Sequence, residues 1–265
     1  FAYSIYITAA TGQLNLGGAG FQAIGAYACA LLSNELGLPI YLTLIFSAIL
    51  GGAISFLIAF PVLRTKGVYM VLATFAIAEI VAGIILNTDY LGGPTGMIVN
   101  AYIETEVVLV VAVIIVILGF YIMSTRIGLA MRAVHDDEAV ADLMGVDKRA
   151  IQVGAFTIGG AIAGLSGGLY ALYFGFIEAQ YFNANISIFV LLYVLIGGTQ
   201  TAWGPLVGAS FFTLIPEALR IGDDWRFFIF GVIIVIMMIF RPEGIVTRDA
   251  LERVWRQLFS GKRNV

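Results

Sequence analysis

The stretch AIQVGAFTIGGAIAGLSGGLYALYFGFI, from Ala150 to Ile177, holds no Asp, Glu, Lys or Arg. A helix needs about 20 predominantly apolar residues to cross the ~30 Å hydrocarbon core of a bilayer, and this stretch is longer. It leaves no polar face for water, as a helix on a soluble domain would. Its glycines are spaced: Gly160, Gly164 and Gly168 recur every four residues and so lie on one face. In lipid such a stripe admits a neighbouring backbone, because dispersion and weak hydrogen bonds drive helix association there. Two uses are open, fixed helix packing and a smooth face along which helices slide during gating.

The same deficit of charge recurs outward from this segment. Phe1 to Asn34 and Val107 to Thr125 are also uncharged, and the whole chain of 265 residues is 60% hydrophobic and only 12% charged. Soluble domains carry about 25% charged residues. The expectation is an all-α, polytopic transmembrane helix bundle forming one membrane domain over residues 1–265. Hydrophobic runs separated by polar breaks predict helices at Phe1–Thr11, Phe21–Asn34, Tyr41–Leu63, Val68–Leu86, Val107–Met123, Ala150–Phe176, Ile186–Gly197, Leu206–Leu219 and Phe227–Phe240. That amounts to about eight spans, some short or broken. GQLNLGGAG, Gly12–Gly20, is a glycine-rich break, and Gly204 and Gly208 repeat the small-residue spacing. The chain opens on Phe1, already inside hydrophobic sequence, which points to a cropped N-terminus and one or more preceding helices.

Lys and Arg fall on alternate connections. Arg64 and Lys66 lie in one, Arg126, Arg132, Lys148 and Arg149 in another, and Arg241, Arg248, Arg253, Arg256, Lys262 and Arg263 in the tail. Glu35–Ile40, Asn87–Glu106 and Ile177–Asn185 have none. The positive-inside rule puts the basic connections and the C-terminus in the cytoplasm. Arg220 and Arg226 are the exception, among Glu217, Asp223 and Asp224. Residues 249–259 predict an interfacial helix, with Leu251, Val254, Trp255 and Leu258 on one face and Arg253 and Arg256 opposite.

Chemistry-bearing residues are sparse. His135 is the one histidine and Cys29 the one cysteine, so there is no Cys/His metal spacing, no intrachain disulfide and no catalytic set. Lys66, Lys148 and Lys262 are not followed by Ser or Thr, so a phosphate-binding loop is excluded and ATP, if it drives the protein, binds another chain. The net charge of −3 argues against nucleic-acid binding. No cofactor is expected. Glu79 is the carboxylate placed deepest in a predicted span, where a charge costs roughly 2.5–3.5 kcal/mol and faces a cavity or a partner. It either ties helices together or lines a pathway.

The connection 126–149 is too charged for lipid and too patterned for a slack linker. Asp136, Asp137 and Glu138 suit a helix N-terminus, Val140, Leu143 and Met144 follow at helical spacing, Gly145 suits a stop, and Asp147 can cap the next helix. A short cytoplasmic helix with a small apolar face results. It is either a solvated hairpin or a docking knob for a cytoplasmic partner.

RIGLAMRAVHDDEAVADLMGVDKRAIQ (Arg126–Gln152), followed by AFTIGGAIAGLSGGLYALYFGFI (Ala155–Ile177), resembles the LivM-type permeases of branched-chain amino acid ABC importers. IGGTQTAWGPLVGA and IFRPEGIV continue the resemblance downstream, and GAGFQAIGAY, KGVYMVLATFAIAEI and LGGPTGM carry it upstream. It covers nearly the whole chain. It implies a non-enzymatic translocation subunit in a bacterial inner membrane, paired with a second homologous permease, two cytoplasmic ATP-binding subunits and a periplasmic substrate-binding protein. By position, Asp136–Gly145 corresponds to the coupling helix. Urea and short-amide importers carry very similar permeases and are the alternative. An ATP-independent secondary transporter or channel would need an ion relay for which Glu79 alone stands. An intramembrane enzyme would need clustered His, Asp or Glu within the spans.

Overall fold

In a computed structural model, the structure describes residues 1–218, 231–232, 235 and 244–246. The predicted span Phe227–Phe240 and the predicted helix at 249–259 lie outside the described residues, apart from isolated positions of the former. The described chain is almost wholly helical: α1 Ala2–Ala9, α2 Gly18–Leu36, α3 Ile40–Val62, α4 Val68–Leu86, α5 Thr105–Ser124, α6 Arg126–Asp136, α7 Glu138–Leu143, α8 Lys148–Phe174, α9 Ala184–Gly197 and α10 Trp203–Ala218. Two-residue strands β1 (Met97–Ile98) and β2 (Phe176–Ile177) pair antiparallel.

Among the described residues, five helices are long and apolar enough to cross a membrane: α3, α4, α5, α8 and the run Ala179–Gly197 that contains α9. About eight spans were expected over the whole chain, and one of them, Phe227–Phe240, falls mostly outside the described residues. At 1.5 Å per residue, the stretch Ala2–Ala9 of α1 is about 12 Å long, and the apolar part of α10, Trp203–Leu214, is also short. The protein is a multi-pass, all-α membrane protein. The chain divides into two compact units, Tyr3–Leu191 with Phe1, and Leu192–Val265 with Ala2.

The first unit is organised around α8, which packs against α2 and α3. Gly160 lies against Ser55 and the Gly51 carbonyl, Gly164 against Gly51 and the Ser47 carbonyl, and Gly168 against Ser47 and Leu44, all on α3. Neighbouring glycines turn to other partners. Gly159 meets the Ser4 carbonyl of α1, and Gly167 meets the Gln22 carbonyl of α2. Gly25 of α2 approaches the backbone of Gly164. A Cβ at Gly25, Gly159, Gly160, Gly164 or Gly167 would overlap a neighbouring backbone or side chain, and at Gly168 it would be tightly packed. At this range a side-chain hydroxyl also bridges helices, as Ser55 Oγ donates to the Phe156 carbonyl at 2.6 Å. By contrast, α5 buries only Ile115, Gly119 and Met123, and between Val107 and Met123 it carries no charged residue, as a lipid-facing or partner-facing helix requires.

In the second unit, the end of α9 and α10 form an antiparallel pair with the same small-residue logic. Gly197 faces Gly204 and Gly208, and the rings of Tyr193 and Phe212 stack at 5.3 Å. Ile245 N donates to the Ile196 carbonyl and Val246 N to that of Gly197.

Candidate functional site

The connections of the first unit gather at two chemically different ends. At one end Tyr90 Oη donates to Glu35, Asn34 Nδ2 donates to the Ile98 carbonyl and the Asn100 amide donates to Asn34 Oδ1. The hydrogen bond to Glu35 raises the Tyr90 phenol above its ordinary pKa. This end carries Glu35, Asp89, Glu104, Glu106 and Glu178 with no Lys or Arg in its connections. At the other end the connection after α3 meets the α6–α7 segment. Lys66 Nζ lies 3.7 Å from Glu138 Oε2, Gln152 Nε2 donates to Glu138 Oε1, and Gly12 sits beside His135. Arg64, Lys66, Arg126, Arg132, Lys148 and Arg149 all belong to the connections and helix ends on this side.

At that basic end the helix expected across Asp136–Gly145 is divided differently. Asp136 is the last residue of α6, not the first of the short helix. Asp137 is extended (φ −157°, ψ 109°), and its carboxylate accepts from Ala139 N and Val140 N at 2.8 and 3.0 Å. Satisfying those two orphan donors starts a new N-terminus, with Glu138 in its first turn. The helix α6 occupies part of the charged connection 126–149 in which the sequence pattern predicts no helix before Asp136. It is amphipathic, with Gly128, Met131 and Val134 buried, and Arg132 donates to the Met123 carbonyl. The spacing of those three residues is the signal that identifies it.

Within α7 only Ala141 is buried. Val140 is 54% exposed, Leu143 87% and Met144 80%. Gly145 ends the helix at φ +82°, and Asp147 Oδ1 accepts from Ala150 N at the start of α8. The apolar side chains are thus held outward on a capped helix joined through one turn to the longest span. Covering a Leu or Met is worth about 1.5–3 kcal/mol each.

A second constellation lies within the spans. After α1 the chain turns at Gly12 and runs back along α4, and α2 begins beside Thr74 and Ala78 rather than at a surface. Leu16 N donates to Thr74 Oγ1 at 3.0 Å, Gly17 N to Asn15 Oδ1 at 2.8 Å, and Ala19 N to Ser187 Oγ at 2.8 Å. A helix start inside a membrane must find internal acceptors for its free N–H groups, and Asn15, Thr74 and Ser187 are those acceptors. Sequence reasoning marked the glycine-rich break but not these three residues. Gln13 and Asn15 inside an uncharged run were the available signal for a polar joint.

Glu79 lies about 16 Å along α4 from Val68. Its Oε1 accepts from Ala184 N, the first residue of α9, at 3.1 Å. The carboxylate therefore caps a second internal helix start. Replacing Glu79 by alanine removes that acceptor and is expected to destabilise the protein by ~1 kcal/mol, whereas Glu79→Gln keeps a carbonyl oxygen in place and retains most of the stability. Thermal unfolding of the two variants in detergent, with transport measured alongside, checks this. A Glu79→Gln protein that is fully stable but does not transport would give the charge itself a role in the pathway. The residues Gly160, Gly164 and Gly168 stand apart from Glu79, in the α3–α8 contact. No group of three or more His, Cys, Asp or Glu that could hold a metal occurs among the described residues.

Residues 1–240 match the family described as the permease component of the branched-chain amino acid transport system. The chain is 31% identical to the high-affinity branched-chain amino acid transport system permease protein LivM of Escherichia coli K12, over 91% of this chain and 66% of that protein. It therefore spans just under two thirds of that relative's length. It is 25% identical over 96% of its length to a probable branched-chain amino acid transport permease LivH of Methanocaldococcus jannaschii, covering 87% of that protein. Over 55% of its length it is 31% identical to the autoinducer 2 import permease LsrC of Photorhabdus laumondii, covering 45% of that protein. No solved structure matches it.

Proposed function

The chain belongs to the family of branched-chain amino acid transport permeases, and from that premise we propose that it forms the membrane pathway for branched-chain, hydrophobic amino acids in an ATP-driven importer. The observation that carries the ATP-driven part is α7. It sits at the end that gathers the basic connections and presents Leu143 and Met144 almost fully uncovered. The sequence holds no nucleotide-binding loop, so the energy of ATP enters by contact with another chain. A short capped helix fixed to α6 and α8 transmits that motion, whereas a slack loop would absorb it.

The complete assembly then comprises this chain, a second homologous permease, two cytoplasmic ATP-binding subunits, and a periplasmic protein that delivers the amino acid, in a bacterial inner membrane. The ATPases dock on α7, with Asp137 and Glu138 fixing its start and Val140, Leu143 and Met144 forming the contact. The apolar faces of α3, α4 and α5 meet lipid or the second permease. The α8 stripe holds the bundle rigid, so that displacement at α7 reaches the spans.

Sidedness follows from the charge separation between the two ends. Single cysteines at Asp137 and Thr95, in a Cys29-free background, test it with an impermeant thiol reagent. Intact cells should label position 95 and spare position 137, and the reverse pattern would invert the assignment. Copurification supplies the functional test. Affinity-tagged chain should bring down two ATP-binding subunits, and the binding protein of the same system should bind leucine, isoleucine or valine. A binding protein that took urea or short amides instead would move the substrate to that class and leave the architecture unchanged.

A further inference from the structure

Two adjoining cavities at the basic end carry a ligand site that transport does not require. The first, of about 410 Å³, is lined by Arg64, Lys66, Lys148 and Arg149 and by one carboxylate, Glu138. Glu138 is engaged by Lys66 and Gln152, so positive charge is in excess. Lys148 and Arg149 also occupy the first turn of α8, a 27-residue helix, where the macrodipole is already positive and cations are disfavoured. An anion relieves both conflicts. Gln13 lines the same cavity, is only 2% exposed, and has no hydrogen-bond partner for either its amide oxygen or its nitrogen. A buried amide left unsatisfied on both atoms marks a place for a polar ligand.

The second cavity, of about 590 Å³, shares Arg149 and continues as an open apolar groove past Phe56, Phe60, Val153 and Ile158. Asp147 also borders it and is occupied in capping Ala150. From Arg149 to Ile158 the groove follows α8 for about 14 Å, close to half of a ~30 Å hydrocarbon core. A cationic, hydrogen-bonding pocket joined to an apolar groove one leaflet deep has the two parts of an anionic phospholipid. We propose that this site binds one: the phosphate of its headgroup among Arg64, Lys148, Arg149 and Gln13, and an acyl chain in the groove between α3 and α8. The proposal needs the basic end to lie at a membrane surface, and does not depend on which surface.

Native mass spectrometry of the protein, purified in detergent with its partners, reads the retained lipid. With phosphatidylglycerol and phosphatidylcholine of matched chains supplied together, phosphatidylglycerol should be retained by about tenfold over phosphatidylcholine, since each basic residue near the headgroup contributes appreciably to anionic-lipid binding. Joint Lys148→Gln and Arg149→Gln replacement should abolish that preference. Gly154→Leu fills the groove at a position where an added Cβ meets nothing within 4 Å, so the fold tolerates it, and it should lower retention of both lipids. Equal retention of the two lipids by the unaltered protein would overturn the proposal. So would unchanged retention in Gly154→Leu. Displacement of phosphatidylglycerol by millimolar inorganic phosphate alone would also overturn it, by showing a free-anion pocket rather than a lipid site.

Discussion

Truncating Leu143 and Met144 together to alanine is expected to abolish ATP-driven transport while the membrane helices still insert. Neither side chain contributes to the interior of this chain, since both are more than three quarters exposed. Their removal therefore leaves the α6–α7–α8 packing, the Asp137 cap and the glycine contacts intact. What disappears is the surface proposed to dock an ATPase. If each side chain is an interface anchor worth roughly 2 kcal/mol, affinity for the ATP-binding subunits should fall by about a thousandfold. Substrate-stimulated ATP hydrolysis and copurification report the loss, and circular dichroism reports the preserved fold. Truncation of Leu109 on α5, which is 60% exposed and lies away from the basic end, should leave ATPase copurification unchanged. If the double variant binds ATPases and transports normally, α7 is a solvated hairpin and the docking assignment fails.

Gly164→Leu is expected to prevent stable assembly. A Cβ at this position falls within contact distance of the Ser47 carbonyl and the Gly51 backbone, and neither can rotate away as a side chain would. Overpacking ordinarily costs about 1–3 kcal/mol, and a clash with backbone on a helix that also packs against α2 exceeds that range. Yield and the elution profile in mild detergent should both collapse. Gly154→Leu on the same helix serves as control, because its Cβ enters open space. A normal yield for Gly164→Leu would mean that α3 and α8 separate readily. The stripe would then serve sliding rather than fixed packing.

These residues show what sequence could and could not carry. Uncharged runs located the spans well, and α4 was read as Val68–Leu86, the range the structure has. The sequence predicts the start of α2 at Phe21, whereas the helix starts at Gly18, because Gly17, Gly18 and Gly20 look like a break. In a tightly packed bundle glycine is tolerated where a neighbour comes close, as Ala78 does at Gly20. The amphipathic α6 was hidden by the charges that surround Met131 and Val134. The apolar spacing of α7 and its glycine stop were legible, but the break at Asp137 was not. It depends on which of three consecutive acids turns its carboxylate to the backbone. The internal joint at α2 and the capping of α9 by Glu79 were beyond reach for a different reason. Ala19 and Ser187 are 168 positions apart, and Glu79 and Ala184 are 105 apart. Local periodicity carries no information about which distant acceptor closes a helix start.

The most direct test of the account is leucine uptake into proteoliposomes holding this chain with the proposed homologous permease partner and two ATP-binding subunits, with the proposed binding protein supplied on one side and ATP on the other. Uptake should require ATP, the binding protein and an intact α7, and should stop in the Leu143→Ala, Met144→Ala double variant while that protein remains in the membrane. Leucine uptake by the permease subunits alone, driven by an ion gradient without ATP, would contradict the account and make the protein a secondary transporter.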